Sequence, residues 1–376
     1  MSRFPDVSTA GARVPASIFA RLREHLARFP GEMIPLQIGD THLAPPQNLA
    51  EIEWAQMTPA DLYAYGAPNG WAPLVDALAA KARAQNAIPV TAAGVQVTCG
   101  ATHALSCAVQ GLCDPGDELV LVTPHWPLIR GMALGANVVP IECVLADLEA
   151  AITPRTAAIY FATPNNPDGA MLSRDDLARI AALAAKHHLW ILADEVYEDY
   201  GYDARHVSIA SLPGAFERTV TVFSFAKSYA QAGLRIGYAL GPDGVIAVLK
   251  KLVNHSVYNV PVAMQRAALG ALTNGAPFLA AARASYLAAR DAARARLAAP
   301  AGCPPGGAYL WVDFRRYTGD DCMPILETCA AAGVLLAPGT AFGDACGGFA
   351  RLCFTGVPPA RLAEGIDRIN AVLANL

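Results

Sequence analysis

Lysine is scarce in this chain: Lys81, Lys186, Lys227, Lys250 and Lys251 are the five among 28 basic residues, so arginine supplies the rest. Charge of either sign is thin at 16% of residues, with a net of -4 and a pI near 6.1. That balance gives no electrostatic footprint for nucleic acid or an anionic membrane. No apolar run approaches the roughly 18 residues of a membrane-spanning helix, and the stretch MSRFPDVSTAGARVPASIF has no apolar core of a signal peptide. Cysteine occurs nine times but never as CxxC or with metal-ligand spacing. An odd number in a chain this long reads as reduced thiols in a reducing, cytoplasmic setting, with Cys107 and Cys113 as small core residues. No G-x-G-x-x-G follows the first strand-like run, which disfavours a Rossmann dehydrogenase.

What is present points to a well-buried enzyme. At 376 residues and 54% hydrophobic, the chain exceeds one typical core, so a large domain plus a smaller one is expected. Residues 15–29 and 71–86 have helical spacing, the latter with Pro73 in its first turn. From residue 95 short apolar runs alternate with helical segments: VQVTC, ELVLVTP, ANVVPIE, AAIYFAT, LWILAD, TVTVFS and RIGYALG. This is the pattern of a βαβ architecture with a mostly parallel, buried sheet. A helical stretch over 262–298 leads into a mixed segment with strand-like AYLWVDF and RLCFT, a helix near 321–332 and another from 359. Residues 1–38 are expected to pack with the small domain, 39–275 to form the large domain and 276–376 the small one.

In such a sheet, ligands bind at the carboxyl ends of the strands, and the unusual residues collect there. VQVTC ends at Gly100-Ala101-Thr102, ELVLVTP at His125-Trp126, AAIYFAT at Pro164-Asn165-Asn166-Pro167, LWILAD at Asp194-Glu195-Val196-Tyr197, and TVTVFS at Ser224-Phe225-Ala226-Lys227. Lys227 alone among the lysines follows a buried strand. Arginine cannot supply a primary amine that deprotonates, so the choice of lysine points to nucleophilic chemistry. Lys81 and Lys186 are read as solvated positions of alanine-rich helices. A carboxylate closing the apolar run before it, Asp194, needs a partner, such as a protonated ring nitrogen. The turn at Ala101 and Thr102 opens a helix whose free N–H groups suit a phosphate.

Together these residues resemble the class I/II (fold type I) pyridoxal-phosphate-dependent aminotransferases from Gly39 to Arg351. Pro164-Asn165-Asn166-Pro167-Asp168-Gly169 looks like the family's NPxNPTG loop, and Asp194-Glu195-Val196-Tyr197 like its D-E-x-Y. Ser224 to Lys227 resembles S-x-S-K, Gly233-Leu234-Arg235-Ile236-Gly237 resembles G-x-R-x-G, and Arg351 matches the C-terminal arginine. The resemblance implies that Lys227 holds pyridoxal 5′-phosphate as a Schiff base and shuttles a proton between the substrate α-carbon and C4′ of the cofactor. By the same resemblance Asp194 pairs with the pyridine nitrogen, Tyr197 and Asn166 bond the phenolate oxygen, and Trp126 stacks on the ring. Ala101, Thr102, Ser224 and Arg235 hold the phosphate. Arg351 grips the substrate α-carboxylate, helped by Asn166 and Gly39. Tyr65, in YAYGAPNG, reaches the phosphate of a neighbouring subunit, which implies a homodimer with shared sites. Asp168, Ala226 and Trp126 depart from the commonest family residues, and a cis Asn166–Pro167 bond is suggested.

The activity expected is transfer of an amino group between an L-amino acid and a 2-oxo acid. C–S lyases, decarboxylases and cyclising synthases of the same fold share these residues and stand as the alternative. An aminotransferase-like transcription regulator would need a basic helix-turn-helix ahead of residue 35, and none is seen. No second cation for a dicarboxylate substrate can be placed, so the lean is toward a neutral, apolar or aromatic amino acid. Thr41, His42, Leu43, His103 and His125 lie near the motifs, as loop or packing residues more than as specificity determinants.

Overall fold

The computed structural model describes residues 6–16, 29–46 and 54–376, so most of the helix expected over 15–29 lies outside the described residues. In chain order the strands are β1 (Ile34–Pro35), β2 (Val95–Thr98), β3 (Glu118–Thr123), β4 (Val139–Val144), β5 (Thr156–Ala162), β6 (Trp190–Asp194), β7 (Thr219–Ser224) and β8 (Gly237–Leu240). They continue with β9 (Tyr309–Asp313), β10 (Val334–Leu335), β11 (Ala337–Pro338) and β12 (Phe349–Cys353). The run expected at 136–142 begins late, at Val139. As β4 it is an edge strand, part-exposed along its length, so burial does not fix its ends.

The main sheet has seven strands in the order β2-β8-β7-β6-β5-β3-β4. Every neighbouring pair is parallel except those of β8, which runs antiparallel to β2 and β7. Helices cover both faces, which is why β7 is buried at all six positions, its two threonines and Ser224 included. Leu105, Ala108, Leu121, Leu192 and Val222 form one core, and Ile159, Phe161, Leu177, Ile180 and Ile191 another.

A second, three-stranded antiparallel sheet, β11-β12-β9, packs with helices Met323–Ala331 and Pro359–Leu373 in a third core around Leu310, Phe314, Ile325 and Ile366. β1 pairs in parallel with β10, while the helix Thr9–Arg13 lies against Pro127–Gly135. The long helical stretch divides at Gly275 into Val262–Asn274 and Ala276–Arg296. A side chain at Gly275 would run into the Ala271 carbonyl and the Tyr229 ring. No helix among the described residues is long and apolar enough to cross a membrane.

Two expectations change. Among the described residues the cis X–Pro bonds are Thr123–Pro124 and Thr163–Pro164, not Asn166–Pro167. Lys81 is buried rather than solvated: its ammonium pairs with Glu198, donates to Asn86 Oδ1 at 3.2 Å and lies 5.0 Å over the Phe223 ring. Lys186 is at the surface, 2.7 Å from Glu149.

Candidate active site

The strand directions decide where the site forms. β2, β3, β5, β6 and β7 all end at one edge of the sheet, and antiparallel β8 begins there. Arg235, two residues before β8, therefore meets the residues that follow the other strands. A cavity of about 230 Å³ opens at this edge. Ala101, Thr102, Ser224, Lys227 and Arg235 line one part of it, and Trp126, Asn166, Asp194 and Tyr197 another. Gly39 and Arg351 close it from the side of the smaller sheet. Every site residue expected from the sequence is thus brought together except Tyr65, which is 83% exposed and packs at 4.5 Å on Tyr258.

Close packing shapes one end of the cavity as an anion cradle. Gly100, at φ +77°, opens the helix Gly100–Leu112, and a Cβ there would strike the Arg235 guanidinium. A Cβ on Gly237 would come within 2.5 Å of the Ala101 nitrogen. First-turn N–H groups, the Ser224 hydroxyl and Arg235 face the same space, a donor set suited to phosphate. Ser224 also accepts from Ala226 N–H at 3.1 Å, fixing the short helix that carries Lys227. Arg235 holds a left-handed backbone, φ 56°, and donates to Ala232 C=O at 2.9 Å.

Lys227 is half-buried and donates to the Gly39 carbonyl. Burial pulls its pKa down, with Arg351 and Arg235 acting the same way and Asp40 opposing. Asp194 is 4% exposed, accepts from Tyr160 Oη at 3.1 Å and Val196 N–H at 3.3 Å, and has no ion-pair partner among the described residues. Burial pushes its carboxyl up to about 6. A cationic ring nitrogen would supply the missing partner.

Across the cavity Arg351 donates to Asn166 Oδ1 at 2.7 Å and to Gln37 C=O at 2.6 Å. Its guanidinium lies 4.3 Å over the Tyr309 ring and 5.0 Å over Phe342. The Nε is buried with no acceptor among the described residues, an unpaired donor of the kind that marks a functional position. Tyr309, not singled out from the sequence, shares a 2.5 Å hydrogen bond between hydroxyls with Tyr197. Burial raises the pKa of both phenols, that of Tyr309 to about 12. Asp168 preserves the loop where the family commonly has threonine: it accepts from Asn165 Nδ2 at 2.8 Å and Ala170 N–H at 3.0 Å.

Of the five side-pocket candidates, His125 borders a neighbouring, larger cavity. His103 is tied to Ser256 at 2.8 Å and Cys99 N–H at 3.2 Å, and His42 to the Thr355 carbonyl at 2.9 Å, which are packing roles. Arg130, also unforeseen, lies in the helix after Trp126 and borders that same cavity.

Residues 31–369 match the family described as aminotransferase class I and II. The chain is 34% identical over 361 residues to an arginine–pyruvate transaminase of Pseudomonas aeruginosa, covering 92% of this chain and 91% of that one. It is 33% identical to an aspartate/prephenate aminotransferase of Thermus thermophilus, covering 91% of each. Among solved structures, a mutant aspartate aminotransferase of Thermus thermophilus superposes with a TM-score of 0.91 at 29% identity, over 98% of this chain and 100% of that one. An aromatic aminotransferase of Pyrococcus horikoshii gives 0.87 at 30% identity, over 94% and 99%. A lysine, a buried carboxylate and an anion cradle converge on one cavity, in a chain alike along nearly its whole length to these enzymes; it belongs to the class I and II aminotransferases, which work with pyridoxal 5′-phosphate.

Proposed function

We propose that Lys227 holds the cofactor of this aminotransferase and that its Nζ moves the α-proton of an L-amino acid whose carboxylate is held by Arg351. The observation that carries this reading is the convergence of Lys227, Asp194, Arg235 and Arg351 on one cavity. Arg235, the Ala101 and Thr102 amides and Ser224 hold the phosphate. Asp194 pairs with the ring nitrogen, Tyr197 and Asn166 bond the phenolic oxygen, and Trp126 covers a ring face. Bound there, pyridoxal phosphate supplies an electron sink for the carbanion left by α-proton loss.

Because burial lowers the pKa of Lys227, a neutral amine is reached closer to neutral pH than for an exposed lysine. Arg351, braced by Asn166 and Gln37, fixes the α-carboxylate so that the α-hydrogen faces Nζ. The amino group then passes to a 2-oxo acid held by the same fork. Residues 39–275 are proposed as the cofactor-binding domain, and 276–376 with the N-terminal segment as the smaller one, in keeping with the two sheets and the break at Gly275. The working unit is a homodimer in which Tyr65 reaches the partner's phosphate site, supported by its exposure outside its own cavity; a mass in solution of one chain speaks against it. A cytoplasmic setting is in keeping with nine free cysteines.

The test is spectroscopic. The purified protein should show the visible band of bound cofactor, which one amino acid bleaches while releasing its 2-oxo acid. Lys227→Ala should lack the band and no longer retain the cofactor covalently after borohydride reduction, and its turnover should fall by about 10³-fold. Ordinary turnover in that variant would remove Lys227 from the chemistry.

A further inference from the structure

Beside the site cavity lies a larger one of about 970 Å³. Gly39, Trp126 and Arg351 border both, so a substrate anchored at Arg351 can direct its side chain into the larger space. Its walls carry three large hydrophobics that stand open among the described residues: Val14, Ile38 and Leu128, at 44%, 51% and 53% exposure. Met132 and Leu134 lie on the same wall. Apolar side chains left open to water around a concave space mark a ligand surface.

The charged groups of this cavity are largely engaged with one another. Glu142 is bonded by His125 Nε2 at 3.2 Å, Arg130 Nη1 at 2.9 Å and the Asp344 N–H at 2.9 Å. Arg130 Nη1 also donates to Asp344 at 2.7 Å. A substrate cation would have to take Glu142 from three donors. A distal carboxylate would have to compete at Arg130 with two carboxylates already in place. Arg13, the remaining cation on the lining, sits on the exposed helix Thr9–Arg13.

We infer that the preferred amino donor carries a large apolar or aromatic side chain, and that Leu128, Ile38 and Val14 determine this preference. The inference rests on Arg351 as the α-carboxylate anchor. Leu128 is the sharpest probe: it is surface-exposed, so its replacement leaves the core intact, and it sits two residues from Trp126.

The experiment compares kcat/KM of the holoenzyme for phenylalanine, leucine, alanine, aspartate and arginine with one fixed 2-oxo acid. Phenylalanine and leucine should exceed aspartate and arginine by about tenfold or more, the scale of one well-placed apolar group. In Leu128→Asp the ratio of kcat/KM for phenylalanine over alanine should fall by about tenfold, with the cofactor band retained. Preference for aspartate or arginine overturns the inference and leaves the aminotransferase assignment standing. An unchanged ratio in both Leu128→Asp and Ile38→Asp overturns it as well. A holoenzyme that converts none of the five overturns the reading of Arg351 and Lys227 on which the inference stands.

Discussion

Asn166 and Arg351 are 185 residues apart in sequence, yet Asn166 Oδ1 accepts a 2.7 Å hydrogen bond from Arg351 Nη1. The first follows β5 of the main sheet and the second lies within β12 of the smaller one. The bond therefore ties the two sheets together across the cavity. It also orients the fork: Nη1 and Nη2 are held by Asn166 and Gln37, and Nε is buried without an acceptor among the described residues. Arg351→Lys keeps the charge but loses the planar fork. kcat/KM should drop by about 10²-fold, the scale of a misplaced reacting group, with cofactor absorbance unchanged. A drop below about threefold would show that the carboxylate is held elsewhere.

Asp194 gives a pH signature in the cofactor-free protein. Its carboxyl is pushed up to about 6 by burial, against an unfolded value of about 3.9. The folded chain thus keeps a proton that the unfolded chain has released. Stability from this group is full below about pH 4 and is lost as pH rises through about 6, on the order of 3 kcal/mol in all. Asp194→Asn has no such titration. Urea midpoints at pH 4.5 and 7.5, measured without cofactor, should fall more for the natural protein than for the variant. Equal slopes would mean that the carboxylate finds a partner unaided.

Gly39 is required by Tyr309. A Cβ at residue 39 would land on the Tyr309 hydroxyl, which bonds Tyr197 at 2.5 Å. Gly39→Ala should therefore displace the tyrosine pair and lower kcat by about tenfold or more through misplacement alone. Tyr309→Phe in the same background relieves the collision and should recover part of the loss. Failure of that rescue would locate the defect in the Gly39 carbonyl, which accepts from Lys227.

Lys81 supports the site from below. Its pair with Glu198 is buried on both sides, and Asn86 Nδ2 donates to the other Glu198 oxygen at 2.5 Å. Lys81→Met leaves a buried carboxylate without its cation, which costs about 3–5 kcal/mol. Thermal unfolding of the variant should move down by several degrees. Lys81→Met with Glu198→Gln should recover much of it.

The sheet was legible because both of its faces are covered, so β5 and β6 read as near-continuous apolar runs whose ends are marked by polar residues. Lys227 and Asp194 were found from those ends and Arg235 from the family motif it resembles, and the antiparallel course of β8 explains why Arg235 meets the others. Tyr309 was not legible: it sits in an ordinary strand and enters the site only because β9 pairs with β12, a contact no local pattern encodes. Arg130 was hidden for the same reason, since its partners Glu142 and Asp344 come from distant segments. Lys81 could have been placed. It falls seven residues after Leu74 and three after Leu78, on the buried stripe of its helix, and the expectation that charge means solvent overrode the periodicity.

The left-handed backbone of Arg235 sets two demands against each other. A non-glycine residue at φ 56° carries a conformational cost on the order of 1 kcal/mol. Arg235→Gly would relieve it and make the empty fold sturdier while removing the guanidinium from the phosphate cradle. Selection for heat resistance in the absence of cofactor would then favour the very replacement that disarms the enzyme. Directed evolution of this chain has to keep pyridoxal phosphate in the screen, so that the ligand's own binding energy outweighs the local relief.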